Sequence, residues 1–172
     1  MTNTLFDNIT KRLNFSFFKK TPVILQSEAT ECGIACLAMV CGYYGLEIDL
    51  FNFRSRYGSP AQGVTLLSLS KTATHAGLQS RALSLDLDEI NQLKLPCVLH
   101  WDMNHYVVLT KVRKSSFVIH DPSLGKRIIG IQEMSNNFSG VALELWPTQN
   151  FQQEKLKTRL RLLDLMRNIV GL

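Results

Sequence analysis

The spacing of apolar residues changes halfway along this chain of 172 residues. In the first half, apolar positions recur with the three- and four-residue spacing of α-helices. This pattern predicts helices over residues 30–44, 49–57 and 65–76, with Asp49 and Thr65 capping the second and third. The first predicted helix stops at Gly45 and is apolar on nearly every side, which indicates a buried, central helix.

The second half of the chain has the pattern of a β-sheet. Short apolar stretches separated by turn residues predict strands over residues 81–85, 96–101, 106–112, 116–121, 126–131 and 141–146. Between the first two of these strands, Asp86 or Asp88 is expected to cap a short helix that runs through Gln92. Helices followed by an antiparallel sheet predict an α+β domain.

Composition and charge narrow the class of protein. Hydrophobic residues make up 45% of the chain, enough for a core, and no apolar run approaches the roughly 18 residues that a membrane-spanning helix needs. We expect a lead-in over residues 1–20 without a signal-peptide core, a main domain over 21–150 and a basic tail over 151–172. The net charge is +5, and residues 154–172 carry +3 of it, so the main domain is only slightly basic. The sequence shows no basic face with stacking aromatic residues, which is the pattern expected of a protein that binds nucleic acid.

Three of the four cysteines fall within the first predicted helix. A thiolate is favoured at a helix N-terminus, where free N–H groups and the helix dipole stabilise negative charge. Cys32 holds that position, whereas Cys36 and Cys41 lie deeper and are expected to pack in the core. Without an export signal, reduced thiols are expected. Gly33 is expected to leave the thiol uncrowded, so that a substrate backbone can approach it.

A base and an orienting group for Cys32 are expected from the sheet half. His105 begins one predicted strand and Asp121 ends the next, so pairing of the two strands as a hairpin would make these side chains neighbours. Gln26, six residues before Cys32, is placed to share an oxyanion with the Cys32 backbone N–H. Taken singly, these residues also fit a strand-end histidine, a turn-forming aspartate and a surface glutamine. Their coincidence indicates a cysteine protease, and no spacing typical of a zinc site is present.

Three motifs resemble a known family. Gln26-Ser-Glu-Ala-Thr-Glu-Cys-Gly-Ile-Ala-Cys36, His105-Tyr-Val-Val-Leu and His120-Asp-Pro122 are similar to the N-terminal peptidase domain of bacteriocin-exporting ABC transporters, peptidase family C39. The resemblance covers about residues 20–150 and implies a papain-like fold. It also implies cleavage after a double glycine that ends the leader of a bacteriocin or microcin precursor. In that scheme Cys32 is the nucleophile, His105 the base, Asp121 its orienting group and Gln26 the oxyanion donor.

The same resemblance predicts partners and location. The chain has no G-x-x-x-x-G-K-[ST] phosphate loop, so ATP and magnesium would belong to a separate nucleotide-binding domain, and no cofactor or metal is expected here. The expected partners are a double-glycine leader peptide and the transmembrane and nucleotide-binding domains of a transporter, at the cytoplasmic face of the inner (plasma) membrane. The basic, amphipathic stretch over residues 155–167 would lead towards the membrane domain, or would be a solvated helical tail.

Substrate recognition is predicted less directly. Trp101 and Tyr106 flank His105 in sequence and are hypothesised to wall a narrow cleft that admits glycine but not a β-carbon. Two glycines offer little apolar area, so affinity should come from a helical leader laying apolar residues in a groove. Two alternatives stay open: a module that docks the leader without cutting it, and a cysteine acyltransferase with the same triad.

Overall fold

The computed structural model describes residues 20–58 and 64–156. Its helices are α1 (Cys32–Tyr44), α2 (Leu50–Tyr57), α3 (Leu66–His75) and α4 (Ile131–Asn137), with 3-10 turns at Ala29–Glu31 and Leu87–Gln92. The side chains of Asp49 and Thr65 cap α2 and α3 by accepting hydrogen bonds from backbone N–H groups three residues further on. Gly45 ends α1 in the left-handed region at φ 108°, where glycine carries no steric penalty.

Six antiparallel strands form the main sheet. In chain order the strands are β1 (Glu47–Ile48), β2 (Leu78–Ser84), β3 (Cys97–Trp101), β4 (His105–Val112), β5 (Ser116–Asp121), β6 (Gly125–Gly130), β7 (Phe138–Pro147) and β8 (Lys155–Leu156). The sheet order is β2-β7-β3-β4-β5-β6, and β1 pairs separately with β8 in parallel. Because β3, β4, β5 and β6 are consecutive neighbours, short turns connect them and fix their register.

The sheet separates two hydrophobic clusters. The helical cluster contains α1, which packs against β4 on one face of the sheet and against α2 and α3 on its other sides. Every residue of α1 from Cys32 to Cys41 is buried, as its uniformly apolar sequence predicts. The opposite face of the sheet is covered by the Leu87–Gln92 turn and α4, whose Met134 is fully buried. A helical layer on an antiparallel sheet confirms the predicted α+β architecture.

The predicted elements are present with shifts at their ends, but α4 and the two-residue strands β1 and β8 were missed. The sequence predicted a strand over 126–131 and nothing before 141, whereas α4 occupies the interval and β7 begins at Phe138. This seven-residue helix follows Gly130, which offers no side-chain cap, and it buries only Met134, so neither a start signal nor a periodic face marks it. The predicted lead-in pattern before residue 20 and the basic stretch after residue 156 lie outside the described residues.

The first residues of the predicted tail return to the domain. The Gln153 side-chain amide donates to the Tyr44 carbonyl at 3.1 Å, and Glu154 pairs with Arg56 at 2.9 Å. The Glu47 N–H donates to the Glu154 carbonyl at 2.7 Å, which leads into the pairing of β1 with β8. Residues 151–156 therefore lie against the C-terminal end of α1 and against α2.

Candidate active site

His105 and Asp121 meet where β4 begins and β5 ends. The two strands pair antiparallel, with Val108 opposite His120, so the first residue of one lies beside the last residue of the other. The distance from His105 Nε2 to Asp121 Oδ1 is 2.9 Å, and the Asp121 side chain is only 4% exposed. The hairpin predicted from the sequence is thus present, and it brings the imidazole and the carboxylate into contact.

The Asp121 carboxylate is held in its charged form. Burial would raise the pKa of Asp121, but the hydrogen bond from His105 and those from the backbone N–H groups of Ser123 and Leu124 outweigh burial and lower it. The Ser123 N–H lies 2.8 Å from the same oxygen, Oδ1, that accepts from His105. A backbone contact of this kind fixes the carboxylate, and through it the plane of the imidazole.

Cys32 lies against the imidazole at the N-terminus of α1. It is the first residue of that helix, is 5% exposed and is hydrogen-bonded to His105. Since His105 Nε2 is engaged by Asp121, Nδ1 is the ring nitrogen left for the sulfur. The structure therefore brings together Cys32, His105 and Asp121, the three residues that the sequence predicted as nucleophile, base and orienting group.

The imidazole keeps its proton to high pH. Burial alone would lower the pKa of His105, but its hydrogen bonds to Asp121 and Cys32, and the charges of both, raise it to about 9. At neutral pH the ring is therefore an imidazolium between two acidic groups. A positive charge therefore lies beside the Cys32 sulfur at the start of α1.

The other three cysteines lack this environment. Burial raises the pKa of Cys41 to about 12 and also raises that of Cys97. Burial, together with the negative charges of Cys32 and Asp121, raises the pKa of Cys36 well above its ordinary value. All three are fully buried neutral thiols, which agrees with the expectation that Cys36 and Cys41 pack in the core.

Gln26 is tied to the residue that follows Asp121. Its backbone N–H donates to the Pro122 carbonyl at 2.9 Å, and the His120 ring contacts the Pro22 carbonyl at 3.1 Å. The extended segment before α1 therefore runs beside the end of β5. The Gln26 side-chain oxygen is buried and has no hydrogen-bond partner within the described residues. The atom without a partner is the acceptor of the amide group.

Glu31 and Arg54 belong to the site although the sequence analysis did not select them. Glu31 is 1% exposed, accepts hydrogen bonds from the Ser27 and Glu28 N–H groups, and pairs with Arg54 of α2. Burial would raise the pKa of Glu31, but these hydrogen bonds lower it. The Glu28-x-x-Glu31 spacing is that of a reciprocal cap and was the available signal. Together these contacts fix the loop between Gln26 and Cys32.

Tyr106 lies beside the thiol-bearing helix, and Trp101 does not. Burial and the negative charges of Cys32 and Cys36 raise the pKa of Tyr106, which packs in the helical cluster. Trp101 is 3% exposed and packs in the cluster on the opposite face, so we do not retain it as a cleft wall. The expectation for Gly33 also changes. A β-carbon there would meet Val64 and Leu69 at 3.2 Å, so the glycine permits close packing, not substrate approach.

Two classes of feature are missing from the part of the chain that the structure covers. Within residues 20–58 and 64–156, no three His, Cys, Asp or Glu side chains are grouped so as to hold a metal ion. Among those same residues, no helix has both the length and the apolar character needed to span a membrane.

Comparisons with known proteins identify a family and relatives. The peptidase C39 family model matches residues 20–150. The colicin V secretion/processing ATP-binding protein CvaB of Escherichia coli is 47% identical over all 172 residues, and the probable microcin-H47 secretion/processing ATP-binding protein MchF of Escherichia coli is 44% identical. The chain spans about a quarter of the length of each, since it covers 25% of both.

A solved structure gives the same fold. It is a double glycine motif protease from an AMS/PCAT transporter in complex with the leader peptide, and it is 35% identical to this chain. The superposition has a TM-score of 0.70 and covers 76% of this chain and 94% of that one. The predicted papain-like fold is thereby confirmed. The chain belongs to the peptidase C39 family.

Proposed function

We propose that this domain is a cysteine endopeptidase that removes the double-glycine leader from a bacteriocin or microcin precursor, cutting after Gly-Gly. The observation that carries the proposal is the position of His105, hydrogen-bonded to Cys32 on one side and to Asp121 on the other. The family membership and the leader peptide bound to the related protease support the same substrate class.

In this mechanism Cys32 is the nucleophile. Its thiolate attacks the carbonyl carbon of the second glycine, a C–S bond forms, and the carbonyl oxygen becomes an oxyanion. The Cys32 backbone N–H and the Gln26 side-chain amide donate to that oxygen. The extended segment that carries Gln26 supports this role, because its backbone N–H donates to the Pro122 carbonyl directly after Asp121.

His105 moves the protons in both halves of the reaction. As the intermediate collapses, the C–N bond breaks and the leaving amine takes a proton from the imidazolium, which leaves a thioester on Cys32. A water molecule then gives its proton to His105 and attacks the thioester. The C–S bond breaks, the leader departs with a glycine carboxyl group that loses its proton to solvent, and the thiolate–imidazolium pair is restored. Asp121 orients the ring and stabilises its charge throughout.

We further propose that the domain acts as the peptidase portion of a longer exporter. The relatives that it matches are about four times its length and are described as secretion or transport ATP-binding proteins. Transmembrane and nucleotide-binding domains would lie in the remaining three quarters, with ATP and magnesium bound there. Cleavage would then take place at the cytoplasmic face of the inner membrane and be coupled to export. The peptidase domain itself would need no cofactor.

The direct test uses the precursor of colicin V as substrate, because the relative CvaB is described as processing that peptide. The 172-residue chain and its Cys32→Ala variant are each incubated with the precursor, and the product masses are measured. We expect two products from the original chain, one ending in Gly-Gly, and none from the variant. Binding without cleavage by the original chain would instead identify a docking module, and a conjugated product would identify an acyltransferase.

A further inference from the structure

The segment that carries the proposed oxyanion donor is held at two points. No helix or strand of the described residues includes residues 22–26, so no ladder of backbone hydrogen bonds fixes them. Within residues 20–58 and 64–156, two hydrogen bonds join this segment to the rest of the domain, one at the Pro22 carbonyl and one at the Gln26 N–H. The partners of these two groups therefore determine where the backbone of Gln26 lies.

Both partners are chain neighbours of Asp121. His120 Nδ1 lies 3.1 Å from the Pro22 carbonyl oxygen. The Pro122 carbonyl accepts from the Gln26 N–H at 2.9 Å. Asp121, between them, contacts the proposed base. One short stretch of chain at the end of β5 thus fixes both the base and the two ends of the segment that carries the oxyanion donor.

His120 is buried and serves as the donor in its contact. It is 5% exposed, and a carbonyl oxygen can only accept, so the proton lies on Nδ1. Burial and the positive charges of Lys126 and Lys20 lower the pKa of His120, although the hydrogen bond to Pro22 acts in the opposite direction. The ring is therefore neutral at neutral pH. A buried, neutral ring that donates to the backbone suits a positional role better than proton transfer.

The other side of the segment packs on α1. A β-carbon on Gly42 would lie 2.5 Å from Pro22 Cγ, so the Pro22 ring sits directly on the helix at a position without a side chain. Ile24 packs against the helical cluster. Residues 22–26 are therefore held between α1 and β5, with apolar packing on the helix side and the hydrogen bond of His120 on the sheet side.

The Gln26 side chain depends on this support. Its oxygen is buried and has no hydrogen-bond partner within the described residues, so no hydrogen bond of that atom fixes the side chain. An oxyanion donor acts only where the oxyanion forms, and a displacement of about 1 Å can lower a rate about 10²-fold. A residue that holds the backbone of Gln26 can therefore change kcat without touching the substrate.

We propose that His120 is a positioning residue of the peptidase: its hydrogen bond to the Pro22 carbonyl holds residues 22–26 against β5 and so aligns the Gln26 side chain with the oxyanion. The inference rests on the proposed function, because it takes Gln26 as the oxyanion donor. In this role His120 acts through Gln26 and not on the reacting atoms. A histidine that only stabilised the fold would not be coupled to Gln26 in this way.

The first test compares two variants of His120. His120→Phe keeps an aromatic ring and removes the Nδ1–H donor, whereas His120→Asn keeps an N–H donor at nearly the same distance from the backbone. With the colicin V precursor, we expect His120→Phe to lower kcat about 10-fold with KM within about twofold, because an oxyanion donor acts on the transition state. His120→Asn should keep kcat within about threefold of the original chain.

A second background tests whether His120 acts through Gln26. In the Gln26→Ala chain the oxyanion donor is already absent, so adding His120→Phe should change kcat by less than about twofold. Equal losses of kcat in both backgrounds would overturn the proposal. An unchanged kcat in His120→Phe alone would overturn it as well.

Amide hydrogen exchange reports on the segment without any substrate. We expect the Gln26 N–H, which donates to Pro122, to exchange about 10-fold faster in His120→Phe than in the original chain. Gly42→Ala should have the same effect from the other side, because its β-carbon would displace the Pro22 ring. Gly42→Ala also decides the matter if His120→Phe does not fold. Faster exchange in that variant without a fall in kcat would overturn the proposal.

Thr110→Val is the matched control. It removes another hydrogen bond from a side chain to a backbone carbonyl, the 3.0 Å contact of Thr110 with Val118 in the same sheet. It should lower Tm but leave kcat and the exchange of the Gln26 N–H unchanged. A fall in kcat as large as that of His120→Phe would attribute the effect to general loss of stability and overturn the proposal. Absence of cleavage by the original chain would instead overturn the proposed function, and the role of His120 would fall with it.

Discussion

At the scale of single residues, the environment of each cysteine separates chemistry from packing. Cys32 contacts an imidazolium, whereas Cys36, one turn further along α1, is fully buried with a strongly raised pKa. The same functional group thus lies beside a catalytic candidate at one position and is enclosed in the core one turn later. This contrast makes the two residues a natural pair for mutagenesis.

We expect Cys32→Ser to abolish cleavage of a double-glycine precursor while leaving the protein folded, because the change removes the thiolate and little volume. Cys36→Ser should keep much of the activity but lower the free energy of unfolding by about 1–3 kcal/mol, since it buries a hydroxyl in an apolar site. Turnover assays and thermal unfolding on both variants are the measurements. A reversed ranking of the two activities would contradict the assignment of Cys32.

His105 and Asp121 should differ in how much activity depends on them. His105→Ala removes the proton carrier and should lower kcat by about 10³-fold or more, whereas Asp121→Asn should cost about 10- to 100-fold, because an amide still orients the ring. The pH profile gives an independent check. The active form carries a protonated imidazole, so kcat/KM should fall as pH rises through about 9.

The sign of the shift in Asp121→Asn follows from the cause of the raised pKa. Asn supplies no negative charge, so the pKa of His105 should fall, and the alkaline limb of kcat/KM should move to lower pH. Measurements of kcat/KM from about pH 6 to 10 on the original chain and on Asp121→Asn test this expectation. A shift of roughly one pH unit in the alkaline limb would be resolved. An unmoved limb in Asp121→Asn would show that another group controls it.

Gln26→Ala should lower kcat about 10²-fold with little change in KM, because an oxyanion donor acts on the transition state and not on the bound substrate. Steady-state kinetics with the same precursor provide the measurement. If kcat stayed constant and KM rose, Gln26 would be a substrate-binding residue instead.

At the scale of elements, the start of α1 is fixed by α2. Arg54 of α2 pairs with the buried Glu31 directly before Cys32, whereas Arg56 on the same helix pairs with the exposed Glu154. The first contact connects two helices through a loop that carries the proposed oxyanion donor. The second lies at the surface, where ion pairs contribute little.

This difference predicts that Arg54→Ala is the more damaging of two matched changes. Arg54→Ala should lower the free energy of unfolding by about 1–2 kcal/mol, because a buried carboxylate loses its cation, and Arg56→Ala by about 0.5 kcal/mol or less. The pKa of Glu31 is lower in the folded protein than in the unfolded chain, so its ionised carboxylate stabilises the fold at pH values above the unfolded-state pKa. This contribution is lost as the pH falls through the folded-state pKa. Without Arg54 that pKa rises, so acid unfolding should begin at higher pH. Equal effects of the two substitutions would contradict this account.

The elements also show what the sequence was able to predict. Strong local signals such as the Asp49 and Thr65 caps, Gly45 and the strand-turn-strand pattern around Asp121 gave correct elements and brought His105 to Asp121. The face of the sheet on which each of the Trp101 and Tyr106 side chains lies depended on the length of the turn between β3 and β4. The register pairs Trp101 with His105 and His100 with Tyr106, which puts Trp101 and Tyr106 on opposite faces. Only tertiary structure supplies that register.

At the scale of the whole molecule, we expect the cleft at Cys32 to perform the chemistry and other parts of the surface to supply most of the binding affinity for the leader. A cleft at Cys32 that accepts two glycines provides little binding area, so the rest of the leader must supply it. Replacing either glycine by Val should therefore chiefly lower kcat, and polar changes at the leader's apolar positions should chiefly raise KM. A short Gly-Gly peptide without the leader helix should be cut very poorly. Efficient cleavage of that short peptide in the same assay would show that the division is wrong.

The attachment of residues 151–156 has a mechanical consequence. These residues are held at the Gly45 end of α1, through Tyr44, Arg56 and the two-residue pairing of β1 with β8. Cys32 stands at the other end of this 13-residue helix, about 20 Å away. Tension applied along the chain beyond Leu156 would load that short pairing first, and such a pairing yields before a buried helix does. Residues 151–156 would detach from the domain, and the Cys32 thiol at the far end of α1 would keep its alignment with the His105 imidazole.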